Sequence, residues 1–196
     1  ALRLARSLVA VAVVAVGAVL QRRGAFPVQH IEVDANLEGA DCWEEVVRIS
    51  NNNALAVAAA QCSAAVLFEV LRGAAIAPAL ASALPFADNT LRPLLEQVLV
   101  VPALDSVAVA ARFGRACHVA EGLPVVFHIA QYAPDYRSAI EANIRAAGDS
   151  CGRAIMLGAI VAAYMARQGD AASPIPLKWL ARYRKLVAAA DACVVL

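Results

Sequence analysis

The run ALAVAAAQCSAAVLFEVLR, Ala54 to Arg72, is free of glycine and proline and is followed at once by Gly73. Alanine-heavy apolar runs closed by glycine or proline recur from here to the C-terminus, and that punctuation fits helices and little else. SNNN, Ser50 to Asn53, supplies cap chemistry for this helix, whose apolar pattern covers about Ala54 to Leu71 and stops at Gly73. Upstream, Asp41 can cap a helix carrying Trp43, Val46, Val47 and Ile49 at steps of three and four. Pro78 and Pro85 predict short turns over Ala74 to Asn89. Thr90 is placed to cap a helix over Leu91 to Val100, because Pro93 is tolerated in a first turn. Further helices are expected at Asp105 to Phe113, Leu123 to Ala133, Asp135 to Ala147, Asp149 to Arg167 and Pro176 to about Ala190. With roughly seven such segments and no convincing alternating strand, the expected class is an all-α, multi-helix bundle.

At 196 residues the chain suits one domain of ordinary size. Hydrophobic types make up 61% and charged types 17%, and about a quarter of the residues are alanine, so much of the surface is apolar or covered. A net charge of +1 without a long basic run leaves no electrostatic footprint for nucleic acid, which is excluded as an expected partner. The five cysteines are odd in number, widely spaced and never in a C-x-x-C pair. They read as small buried hydrophobes rather than a disulfide framework. The three histidines are scattered, so clustered zinc ligands are missing as well.

Ser7 to Leu20 carry no charge and divide the chain into an apolar N-terminal helix, residues 1–23, and a helical domain, residues 24–196. Fourteen helical residues span about 21 Å, short of the roughly 30 Å of a bilayer core. Three readings remain open: a helix covered by the protein or a partner, a membrane contact with flanking arginines snorkelling, and the remnant of a targeting segment.

FGRACHVAEGLPVVFH, Phe113 to His128, followed by IEANIRAAGDSCGRAIMLGAIVAAY and IPLKWL, resembles the C-terminal part of the ADP-ribosylglycohydrolase family, in its J1-crystallin-like branch. Upstream, VVRISNNNALAVAAAQCSAAVLFEVLRG is similar to the family's preceding helix pair, so the resemblance covers about Cys42 to Leu186. The resemblance implies an all-α bundle whose cleft binds ADP-ribose and two magnesium ions and hydrolyses ADP-ribosyl bonds through a metal-bridging water. It further implies two carboxylate clusters, an acidic pair in the N-terminal half and a late Gly-Asp-x-Asp-Ser/Thr turn.

Asp149 falls on the first aspartate of that late turn, but Cys151 stands at the second aspartate and Gly152 at the hydroxyl, with the cationic Arg153 directly beyond. The N-terminal acidic pair is not found, and Val11 would stand where the first family helix carries an acidic residue. The chain therefore reads as a shortened, degenerate relative. For Asp149 two roles stay open: a leftover ligand for magnesium or a ribose hydroxyl, or an N-cap accepting from the backbone of Cys151 or Gly152. Asn51, Asn52 and Asn53 are either amides reading a nucleotide or the builders of a turn and cap. Cys117 and His118 are adjacent and do not face each other as a catalytic pair must. Trp179 and Leu180 are expected to pack the core.

The functional expectation is a non-catalytic, ADP-ribosylglycohydrolase-like accessory subunit without a cofactor, its partners being other subunits of a larger assembly. A membrane-embedded respiratory or photosynthetic complex in an organelle is the expected host, with membrane contact through Ser7 to Leu20 as one of the open readings of that segment. The alternatives are a magnesium-dependent hydrolase drawing on Asp34, Asp41, Glu44 or Glu45, and a module that binds ADP-ribose or a related nucleotide. Asp149, Asn51 and Asn52 are the candidate ligand residues, Asp149 alone for a residual magnesium site.

Overall fold

The computed structural model describes residues 47–48, 52–168, 175–182 and 184. The expected N-terminal helix at Ser7 to Leu20, most of the Asp41-capped helix, Asn51 and the C-terminal tail lie outside the described residues. Among the described residues every regular element is helical and no strand occurs. In order these are α1 (Ala54–Arg72), α2 (Ile76–Ala81), a 3-10 turn (Leu84–Phe86), α3 (Leu91–Val100), α4 (Ser106–Phe113), α5 (Val119–Tyr132), α6 (Tyr136–Arg145), α7 (Ser150–Arg167) and α8 (Leu177–Leu180). The all-α expectation is met.

The boundaries follow local chemistry. Asn53 has extended backbone and its Oδ1 accepts from the Leu55 amide at 2.8 Å, which starts α1. Gly73 ends α1 in the left-handed region at φ +100°, where its N–H reaches the Val70 carbonyl and that of Ala74 reaches Glu69. Asp105 and Asp135 cap α4 and α6 by accepting from amides two or three residues on.

Several elements differ from the sequence reading. Helix α2 stands where short turns are expected, and α8 ends at Leu180, with turn at 181, 182 and 184, short of the expected Ala190. Thr90 holds the N-cap position of α3, but its side chain makes no cap bond: Asp88 Oδ1 accepts from the amides of Thr90 and Leu91 instead. Helix α5 begins at Val119, four residues before the expected Leu123, and carries Pro124 inside it. The first turn forms early because the His118 carbonyl accepts from Glu121 and Gly122, while the Glu121 carboxylate accepts from the Ala116 amide and fastens the preceding loop. Trp179 is only half-buried, and its ring lies 6.2 Å from that of Tyr136, with Arg137 at 5.5 Å from its centre. It closes the start of α6 rather than filling the core.

The core is built around α5. Leu123 through Ala130 are all buried, so this helix is covered on every side, as one that is apolar all round must be. Helices α1, α2, α3, α4, α6 and α7 all pack against it. Val66, Val70, Leu80, Leu91, Leu95, Leu157 and Ile160 fill the space between them with no solvent exposure. Helix α1 is long and apolar enough to cross a membrane, and half of its most apolar window is buried inside the bundle. Val47, itself helical, packs separately on Val57 and Ala60 at the start of α1.

Cys62 sits at the centre of α1 with no exposure, its Sγ 3.4 Å from the Ala83 carbonyl. Burial, aided by the nearby Asp88 charge, pushes its thiol up to about 12. Cys117 and Cys151 are exposed. Native-state labelling with a thiol-specific reagent is therefore expected to modify Cys117 and Cys151 and spare Cys62 until the chain is denatured. Mass spectrometry of the labelled peptides checks this, and early labelling of Cys62 would contradict its burial.

Candidate functional site

The turn that carries Asp149 is shaped by two successive left-handed residues, Ala147 at φ +60° and Gly148 at φ +68°. A side chain at 148 is impossible for a second reason: its Cβ would fall 2.0 Å from the Arg115 carbonyl oxygen. This close approach lets the Asp149 amide donate to that same carbonyl at 3.2 Å, joining the turn before α7 to the loop before α5. The first turns of the two helices are thereby held side by side.

Asp149 is the N-cap of α7. Its Oδ1 accepts from the Gly152 amide at 3.0 Å. A Cβ at 152 would come within 2.3 Å of Asp149 Oδ2, so the carboxylate lies folded back over the space that a side chain at 152 would take. Gly152 and the capping conformation of the aspartate are thus one local arrangement. Cys151 is exposed.

Arg153 follows within the first turn of α7, where a cation opposes the helix dipole. It points inward and is only 4% exposed. Its Nε donates to Asn143 Oδ1 at 2.8 Å, and its Nη2 donates to the Asn143 carbonyl at 3.3 Å and to the Ala147 carbonyl. Asn143 is buried too and donates its side-chain amide to the Ser150 carbonyl at 2.8 Å, which stitches the end of α6 to the start of α7. Burial weakens the hold of the Arg153 guanidinium on its proton, and the Asp149 charge works against that effect. A guanidinium remains cationic at neutral pH even so.

These groups line a narrow cleft of about 30 Å³ between α1, the start of α5 and the start of α7, with Ser63, Cys117, His118, Asp149, Gly152 and Arg153 among its walls. Its remaining surface is largely apolar, from Leu123, Val126 and Met156. Cys117 and His118 stand exposed at its mouth, in the loop and at the N-cap of α5, rather than on one helix. Asn52 is elsewhere: it is exposed and its Oδ1 accepts from Arg48 at 2.8 Å. Asp149 alone of the candidate ligand residues joins this cleft, since Asn52 does not line it and Asn51 lies outside the described residues.

The magnesium centre that the family resemblance implies does not fit the residues of this turn. Magnesium takes near-octahedral oxygen coordination. Here one carboxylate is engaged as a cap, a single serine, a thiol and a glycine follow it, and a buried guanidinium occupies the ground behind. Among the described residues no three histidine, cysteine, aspartate or glutamate side chains gather as a metal cluster.

A larger pocket of about 260 Å³ lies between α4, α5 and α6, and three of its polar side chains are engaged by the fold. His128 Nε2 lies 3.1 Å from the Pro102 carbonyl oxygen, Tyr132 donates to the Val101 carbonyl at 2.8 Å, and Asp105 caps α4.

Sequence reasoning did not reach Asn143 or Ser63, and it read Arg153 only as an obstacle to a metal. The available signals were a cation in a first helical turn and a lone serine within an alanine run. The Asp149 cap generates a direct test. Asp149→Ala is expected to lower stability by about 1 kcal/mol while Asp149→Asn stays close to the parent, because asparagine caps as well as aspartate. Chemical denaturation of the two variants checks this, and an equal loss in both would mean that the charge rather than the cap matters.

A search of curated proteins returned no match to this chain. The family model for ADP-ribosylglycohydrolase matches residues 15–195, a span that takes in the capped α1, the buried α5 and the Asp149 turn alike. On that match and its helical architecture, the chain belongs to the ADP-ribosylglycohydrolase family.

Proposed function

We propose that this chain is a non-catalytic member of its family that serves as a structural or accessory subunit of a larger protein assembly. The observation that carries the reading is the chemistry of the late turn. Where the family resemblance implies carboxylates and a hydroxyl for magnesium, this chain places a capping aspartate, an exposed thiol, a glycine and an anchored guanidinium. A dication brought to that turn would meet a fixed positive charge and too few oxygen donors.

The surface supports a protein partner. Leu104, Val107 and Tyr132 are exposed at the rim of the larger pocket, and Val100 nearby in sequence is 80% exposed. Exposed aromatic and large aliphatic groups gathered on one face are the usual material of an interface core. The membrane-embedded respiratory or photosynthetic host is part of the same proposal and rests on composition, with the apolar residues 7–20 outside the described residues.

Gentle native extraction followed by size separation tests the reading. Stoichiometric co-migration with a large complex is the expected outcome, and migration alone near 20 kDa would overturn the subunit role. Magnesium together with ADP-ribose is expected to leave the melting temperature of the purified chain unchanged. A saturable rise that needs both would restore the hydrolase alternative, since a ligand bound by the native state must stabilise it.

A further inference from the structure

We propose that the cleft between α1, α5 and α7 is a binding site for a small oxyanion, a carboxylate or phosphate group, received by Arg153 and Ser63. This goes beyond the subunit role and does not depend on it.

The guanidinium is the first part of the site. Nε and Nη2 form one edge of its planar fork, and both are held by Asn143 and the Ala147 carbonyl. Nη1, on the opposite side, is buried and has no hydrogen-bond partner among the described residues. Among those residues Arg153 has no carboxylate in ion-pair contact: the recorded bridge joins Arg145 to Glu141 on α6. A buried cation with a donor left over is costly in solvation unless an anion or acceptor meets it.

Ser63 makes the second part. It lies on α1 in the wall of the same cleft, has no exposure, and its Oγ finds no partner among the described residues, not even a carbonyl of its own helix. The two residues that carry these unpartnered groups stand on different helices and line one small cavity whose walls are mostly apolar. A hydroxyl and a guanidinium corner are both donors suited to an oxyanion.

The setting adds to this. The first turns of α5 and α7 both border the cleft, and each presents the positive end of its dipole. Helix α5 has no side-chain cap of its own at His118. Two carboxylates stand near. Asp149 borders the cleft with Oδ1 bonded to the Gly152 amide, and Glu121 is turned to the Ala116 amide. Asp149 offsets part of the positive field, so a singly charged group suits the site better than a dianion.

Size limits the ligand. About 30 Å³ admits the head of one oxyanion and excludes a base or a sugar ring. Anything attached to that head must leave through the mouth past Cys117 and His118, both exposed.

The test uses the purified full chain, titrated with acetate or with inorganic phosphate at constant ionic strength against chloride, and read as melting temperature. A saturable rise with either anion is expected; acetate alone assigns the site to carboxylates and phosphate alone to phosphates. Ser63→Ala removes one hydrogen bond to a charged ligand, so its apparent affinity should fall about tenfold. The same variant deletes an unsatisfied buried hydroxyl, and without anion it should melt no lower than the parent. Arg153→Met is expected to abolish the response; where it does not fold, Ser63→Ala still decides. Absence of a saturable rise with both anions, or undiminished affinity in Ser63→Ala, would overturn the site. Neither result bears on co-migration with a complex, so the two proposals fail separately.

Discussion

Because α5 buries eight consecutive residues, Leu123 to Ala130, it has no face that water can solvate, and its stability comes from the helices that close around it. Each neighbour contributes one apolar stripe: Leu91, Leu95 and Val98 from α3, Val109 and Phe113 from α4, Met156, Leu157 and Ile160 from α7. Alanine is what allows this density. Small side chains at Ala58, Ala59, Ala79, Ala110 and Ala139 are buried at contacts where larger ones would hold the backbones apart. The bundle is therefore organised by one buried helix, and its surface is made from what the outer helices do not need.

Inside that apolar frame the charge of Arg153 stands out. It is secured on one side by Asn143, which in turn binds the first turn of α7, so a polar network of three groups fixes how α6 meets α7. Networks of this kind cost solvation and return a defined geometry. The same network shapes the Asp149 turn, where the left-handed pair Ala147 and Gly148 aims one carbonyl at the guanidinium and lets Arg115 approach. A turn that in the family resemblance implies metal binding is here built around an internal cation. That arrangement links the structural reading of the turn to the non-catalytic role and to the anion site proposed for the chain.

Much of the architecture was legible beforehand because its signals are local. Gly73 ends α1 since only glycine takes that backbone cheaply, and Asn53, Asp105, Asp135 and Asp149 cap helices by bonds to amides two or three residues away. The errors occurred where a local signal had a competitor a few residues off. Asp88 took the role expected of Thr90, because its carboxylate reaches two amides at once. Glu121 fastened the loop before α5 and moved the helix start ahead of Pro124. Trp179 met Tyr136 and Arg137 at the surface end of α6, a contact between segments about forty residues apart that periodicity does not encode.

For the site, the sequence by itself determined the donor set: one aspartate, one serine, one thiol, a glycine and an arginine in consecutive reach after Gly148, and with it the poor fit to magnesium. It also determined that Asp149 has a helix start to cap. Only the tertiary structure decided that Arg153 turns inward to Asn143, that Ser63 from a helix ninety residues earlier shares its cavity, and that Asn52 does not. Covalent spacing sets which groups a short turn offers, whereas the partner of a buried charge is whatever the packing of separate helices brings within hydrogen-bond reach.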